Sequence, residues 1–172
     1  MKKQANINIT VGALIAALYA GMTYFSSVFG LAYGPLQFRF SEALTILPFF
    51  TPAAIPGLVI GCFIGNLGSP YGLVDIIFGT LATLLAALTT RALGRSSAKY
   101  ALFLAALPPV VFNALIIGAE VTFFLPESLT FKAFAASAAW IGLGEFVVCL
   151  GLGLPLALAL KKSKVFEKFQ SN

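Results

Sequence analysis

The stretch Leu47-Pro48-Phe49-Phe50-Thr51-Pro52-Ala53-Ala54-Ile55-Pro56-Gly57 decides how this chain folds. It lies inside a charge-free run, 43–74, long enough to be taken for one membrane-crossing helix. Three prolines argue against that: each lacks a main-chain donor and disfavours helix at the residue before it. The segment instead reads as a tight turn between two short helices, 37–50 and 54–66. At 14 and 13 residues, both are shorter than the ~20 that cross a hydrocarbon core. Short membrane helices are tolerated where protein or a cavity surrounds them, and they often mark binding sites. A bent hairpin that merely packs explains them equally well.

Charge placement supports the same turn. Nine of the eleven Lys and Arg fall in three clusters: Lys2 and Lys3; Arg91, Arg95 and Lys99; Lys161, Lys162, Lys164 and Lys168. Short loops rich in Lys and Arg lie on the cytoplasmic side, so an even number of crossings must separate successive clusters. Tyr100 to Leu125 runs out, the loop Pro126-Glu127-Ser128-Leu129-Thr130 turns, and Phe134 to Leu160 returns. Between Lys3 and Arg91, spans at 9–30 and 72–90 flank the two short helices and restore parity. The expectation is an all-α integral membrane protein: one domain over 1–172, six transmembrane helices, both termini cytoplasmic, and short proline-flanked helices second and third.

Composition agrees. Of the 172 residues 59% are hydrophobic and 10% charged, with mean hydropathy +0.96, against ~45–50% and ~25% in ordinary globular domains. A soluble chain of this size leaves roughly a third of its surface exposed and could not hide so much apolar side chain. The net charge of +5 is a topology signal and no nucleic-acid surface, because no basic, aromatic-interleaved soluble face carries it. The chain has no His, which removes imidazole metal sites and His-based acid/base chemistry. Cys62 and Cys149 sit in apolar stretches and read as small buried hydrophobes. No G-x-x-x-x-G-K-[ST] occurs, so ATP is not bound here through a P-loop. The first apolar run exceeds a signal-peptide core of ~7–15 residues and lacks A-x-A, so it is expected to stay. The tail Lys161 to Asn172 interleaves Val165, Phe166 and Phe169 with lysines, as a lipid-anchored helix end does.

With the clusters set aside, Arg39, Glu42, Asp75, Glu120 and Glu145 remain at or within spans, where an ionisable group is costly and is a functional candidate. Asn66 and Asn113 join them, and the expected topology brings these polar groups from separate segments into the outer half of the bundle. Helix-end groups also reach headgroups, Arg39 and Glu42 suit a local pair, and Asn113 and Glu145 suit interhelical bonding. Carboxylates outnumber Arg39, so the site favours a ligand rich in N–H donors or carrying positive charge. Among Tyr24, Phe29, Tyr33, Tyr71 and Trp140, aromatic rings are available to stack on a planar ligand. Competing classes are a small membrane enzyme and a proton-coupled carrier. No nucleophile–base arrangement stands out for the first, and no catalytic residue or metal ligand is assigned.

The first span carries two small-residue ridges, Gly12/Ala16/Ala20 and Ala13/Ala17/Gly21. Such ridges let another helix approach closely, either within the bundle or from a partner protein.

Taken together, these residues resemble a known family. The alanine ridges of span 1 and the six-span length are similar to an S component, the substrate-binding subunit of an energy-coupling-factor (ECF) importer. Gln37-Phe38-Arg39-Phe40-Ser41-Glu42-Ala43-Leu44 and 47–57 resemble the QueT-type, queuosine-precursor members, and Gly65-Asn66-Leu67-Gly68-Ser69, Asp75 and Gly118-Ala119-Glu120 fit the same pattern. The resemblance implies capture of a 7-deazaguanine, queuine or an aminomethyl precursor, from outside a bacterial cytoplasmic membrane. It implies substrate binding by Arg39, Glu42, Asn66, Asp75 and Glu120; Asn113, Trp140 and Glu145 join on depth and ring chemistry. It further implies that Ala13, Ala16, Ala17 and Ala20 rest on a transmembrane coupling subunit. Two cytoplasmic ATPase subunits would use the ATP, leaving this chain with no cofactor of its own.

Overall fold

The computed structural model describes residues 2–33, 37–123 and 130–163. Gly34 and Pro35, the end of the expected Tyr100–Leu125 span beyond Phe123, the loop 126–129 with Glu127, and the tail from Lys164 lie outside those residues. Every regular element among the described residues is helical. Four helices are long and apolar enough to cross a membrane: Gln4–Val28, Leu73–Leu93, Ala101–Phe123 and Phe131–Ser163. Phe40–Phe49 and Ala54–Asn66 are the shorter apolar ones. Large apolar side chains stay on the outside, among them Val28, Leu73, Ile9 and Phe131. That is the surface a lipid-facing bundle presents.

Helix α1 (Lys2–Val28) and helix α2 (Ala54–Asn66) pack along a glycine seam. A Cβ on Gly57 would stand 2.6 Å from the Gly12 carbonyl oxygen, and one on Gly61 2.8 Å from both the Ala16 oxygen and Tyr19 Cβ. Gly65 meets Thr23 in the same way at 3.0 Å. The spacing 57, 61, 65 is a small-xxx-small ridge on α2 that receives the buried Gly12/Ala16/Ala20 ridge of α1. Close packing of this kind replaces the hydrophobic drive that lipid removes between helices.

The proline-rich segment breaks where expected, at Thr51, Pro52 and Ala53. The helix before it differs from expectation. In place of an α-helix over 37–50, Gln37–Arg39 is non-helical and a 3₁₀ helix covers Phe40–Phe49. Pro48 has no donor for the last α-turn, and the tighter winding rises ~2.0 Å per residue against ~1.5 Å. A short segment thereby reaches further through the bundle. Ser41 to Pro48 are all buried, and the strut touches α1, α2 and the helical segments over 73–93 and 131–163.

Helix α3 (Leu73–Leu93) starts after Gly72, whose φ of 64° suits only glycine comfortably. Its Arg91 donates to the carbonyls of Pro48 and Phe49 at 3.4 and 3.3 Å, capping the 3₁₀ strut. The stretch from Tyr100, expected as one helix, is interrupted: a single turn, α4 (Ala101–Leu104), precedes α5 (Leu107–Phe123). Pro108 and Pro109 occupy the first turn of α5, where no internal donor is needed.

The last span is also irregular, although a plain helix was expected. Helix α6 (Phe131–Val148), capped by Thr130 on Ala133 N at 3.2 Å, passes through a π turn at Cys149–Gly153 into α7 (Leu154–Ser163). Pro155 cannot bond back to residue 151, and the widened turn absorbs that lost bond. Gly144 and Gly153 let this helix touch the strut: a Cβ on Gly144 would land on the Gln37 carbonyl oxygen, and one on Gly153 would lie 3.3 Å from that of Ala43.

Candidate functional site

The strut aligns the polar residues. In a 3₁₀ helix side chains three apart eclipse one another, so Arg39, Glu42 and Thr45 share an edge. Arg39 forms no local pair with Glu42. Its Nε donates to the Ala32 carbonyl at 2.6 Å, its Nη2 meets Asp75 Oδ2 of α3 at 3.5 Å, and its guanidinium lies over the Tyr33 ring at 5.3 Å. Arg39 is 4% exposed and Asp75 1%. The ion pair is interior to the bundle and no headgroup contact.

One turn along the strut, the Tyr19 hydroxyl of α1 donates to Glu42 Oε1. Thr23 donates to Ser41 Oγ at 2.8 Å and tethers the same two elements. Thr45 donates to the Glu42 carbonyl at 2.5 Å, and the Cys149 thiol lies 3.8 Å from that oxygen and from Glu145 Oε2. Asn113 of α5 interacts with both Glu42 and Glu145. From α2, Asn66 Nδ2 donates to the Asp75 carbonyl at 3.0 Å; a Cβ on Gly79 would strike that amide. Glu120 of α5 has Asp75 and Arg39 as its electrostatic neighbours.

Arg39, Glu42, Asn66, Asp75, Asn113, Glu120 and Glu145 are therefore gathered into one buried cluster, each no more than 5% exposed. Trp140 is not part of it. It is 55% exposed, and five residues before Glu145 it points about 140° around the helix. Of the span 1 alanines, Ala16 and Ala20 are buried, whereas Ala13 and Ala17 are exposed. An apolar groove of about 560 Å³ runs along that edge, lined by Gly12, Ala13, Ala16, Ala17, Pro56 and Ile60 among others.

Sequence reasoning missed Tyr19, which looked like one more bulky residue between small ridges. Its spacing of four from Ile15 and Thr23 puts it on the inward edge, and that was the available signal. Cys62 and Cys149 are buried as expected, and both also take part in polar contacts: Cys62 accepts from Thr83 at 3.2 Å, and Cys149 faces the Glu42 carbonyl and the Glu145 carboxyl.

The cluster has a chemical sign. Among the described residues, its buried atoms without a hydrogen-bond partner are Glu42 Oε2, Asn66 Oδ1, Asp75 Oδ1 and Glu120 Oε2. All four are acceptors, from the strut, α2, α3 and α5. Leaving a buried polar atom unmade costs about 1–3 kcal/mol. Several unpaired acceptors around one centre are what a site for a donor-rich ligand presents.

A family profile described as QueT transporter matches residues 9–162. A protein of Lactococcus lactis subsp. cremoris (strain MG1363) described as queuosine precursor transporter QueT is 42% identical over 84 residues. That aligned stretch spans about half of both proteins, 49% of each. No solved structure matches.

Proposed function

Since the chain belongs to the QueT transporter family, we propose that this multi-pass membrane protein binds a queuosine precursor in the buried cluster for uptake. The family is one of transporters, and the Lactococcus relative is described as carrying a queuosine precursor. The observation that carries the reading is the set of four unpartnered acceptor atoms, Glu42 Oε2, Asn66 Oδ1, Asp75 Oδ1 and Glu120 Oε2, in the buried cluster that holds Arg39. A 7-deazaguanine offers a ring N–H and an exocyclic amine side by side, the pair that a carboxylate accepts bidentately. Its carbonyl takes a donor such as Arg39 or Asn113.

In this reading the chain crosses the bacterial cytoplasmic membrane six times with both termini inside, and the site faces outward. It is the S component of an ECF importer. The groove along Gly12, Ala13, Ala16 and Ala17 receives the transmembrane coupling subunit, and two ATPase subunits drive release inward. Ala13 and Ala17 make that contact directly. Ala16 lines the groove floor, and Ala20 acts from within the α1–α2 seam.

Calorimetry on the purified chain tests the substrate. Queuine or 7-aminomethyl-7-deazaguanine is expected to bind without any partner subunit. Binding of riboflavin, thiamine or biotin in their place would keep the class and discard the substrate.

A further inference from the structure

Three of the four buried carboxyls have a protein donor. The Tyr19 hydroxyl serves Glu42, the Arg39 guanidinium serves Asp75, and the Cys149 thiol serves Glu145. Glu120 is the exception. It is 1% exposed, no described residue donates to it, and its Oε2 is among the unpartnered atoms. Its electrostatic neighbours are Asp75, of like charge, and Arg39. That guanidinium already serves Ala32 and Asp75. One cation thus stands against four acids.

A buried acid with no donor is expensive to ionise, and a cation that arrives beside it offsets that cost. Two further unpartnered oxygens of the cluster have the same need. Asp75 Oδ1 belongs to its neighbour, and Asn66 Oδ1 to the amide bonded to the Asp75 main chain. An ammonium group has three N–H donors and one positive charge. It would meet three acceptors and supply the missing charge in one step. Glu42 Oε2 is then left for a ring N–H.

We propose that Glu120, with Asp75 Oδ1 and Asn66 Oδ1, is the seat of a ligand ammonium group, so that the protein selects a cationic amine over a neutral isostere. The assignment rests on the deazaguanine reading only for the choice of probes. It gives separate roles to Glu120, which answers charge, and Glu42, which answers the ring edge.

The test compares Glu120→Gln with Glu42→Gln on two ligands, 7-aminomethyl-7-deazaguanine and its neutral 7-cyano counterpart, by calorimetry in detergent. Glu120→Gln should weaken the aminomethyl compound at least ~30-fold, as loss of one partner of a buried charge pair does, and change the cyano compound less than about threefold. Glu42→Gln should weaken both alike. Thermal unfolding of the ligand-free protein supplies an arm that needs no ligand. At alkaline pH, where the acid is ionised, removing it should raise the Tm of Glu120→Gln by about 2–4 °C for a chain of this size, and Glu42→Gln should lower it.

Equal losses on both ligands in Glu120→Gln overturn the proposal, and so does an unchanged or lowered Tm, which would reveal a protein partner for Glu120. A Tm rise on adding sodium that Glu120→Gln abolishes would seat an inorganic cation there and overturn it too. If neither deazaguanine binds the wild-type chain, the substrate reading falls by itself, and the unfolding comparison still decides where the uncompensated charge sits.

Discussion

Replacing Gly61 by Ala adds a single methyl group, and its cost follows from the seam. The new Cβ would stand 2.8 Å from the Ala16 carbonyl oxygen, 2.8 Å from Tyr19 Cβ and 3.1 Å from Ala16 Cα. Ordinary contact begins near ~3.5 Å, so α1 must retreat by roughly 0.7 Å, because none of these atoms ends a flexible side chain. Overpacking of this sort costs about 1–3 kcal/mol. The retreat also draws the Tyr19 hydroxyl from Glu42, and a hydrogen bond to a charged group contributes about 1.5–3 kcal/mol. Against this, Ala gains about 1 kcal/mol over Gly in a helix. The net loss centres on about 3 kcal/mol, or a Tm lowered by about 6–12 °C at ~2–4 °C per kcal/mol. Affinity for 7-aminomethyl-7-deazaguanine should fall about tenfold or more, since Glu42 loses the donor that orients it. Thermal unfolding and calorimetry in the same detergent read both effects. Gly21→Ala is the control: a Cβ there meets nothing within 4 Å, and the helix gain alone should leave the protein unharmed. If Gly61→Ala unfolds with Gly21→Ala and binds ligand as the wild type does, the seam neither limits packing nor holds Tyr19 on Glu42.

Other substitutions separate the roles of the remaining parts. Tyr19→Phe removes one donor without opening a cavity and should reduce ligand affinity about tenfold or more, at about 1.5–3 kcal/mol for a bond to a charged group, with the loss read by calorimetry. Ala17→Trp fills the exposed groove and should spare ligand binding while impairing assembly with the coupling subunit, measured by co-purification; undiminished assembly would move the docking surface elsewhere. Gly144→Ala places a Cβ on the Gln37 carbonyl oxygen and should abolish a monodisperse, folded protein on size exclusion, because every atom the new Cβ meets belongs to the Gln37 backbone.

Much of the plan was legible because charge is scarce in a membrane. Arg39, Glu42, Asp75, Glu120 and Glu145 stood out for that reason alone, and the prolines at 48, 52 and 56 marked the break the structure shows at Thr51 to Ala53. The glycines at 57, 61 and 65 carry a further signal, a spacing of four that matches the ridge on α1. The winding of the strut was hidden for a physical reason. When every side of a helix is apolar or buried, periodicity carries no phase, and three residues per turn cannot be told from 3.6 by pattern. The π turn before Pro155 and the inward aim of Tyr19 were obscure on the same ground. Trp140 was placed by its ring chemistry, and nothing in its own stretch revealed that its face of α6 looks outward.

The 3₁₀ strut also limits how such a chain can vary in length. Each residue there turns the helix by about 120°, so one inserted or lost between Arg39 and Pro48 would rotate everything beyond it by a third of a circle. Thr45 would yield its place on the Glu42 edge to a neighbour, and the carbonyls held by Arg91 would point elsewhere. Substitutions on the strut can be repaired by their neighbours, but a change in its count cannot. Among relatives, insertions should collect in the connecting loops and leave the interval from 39 to 48 unbroken.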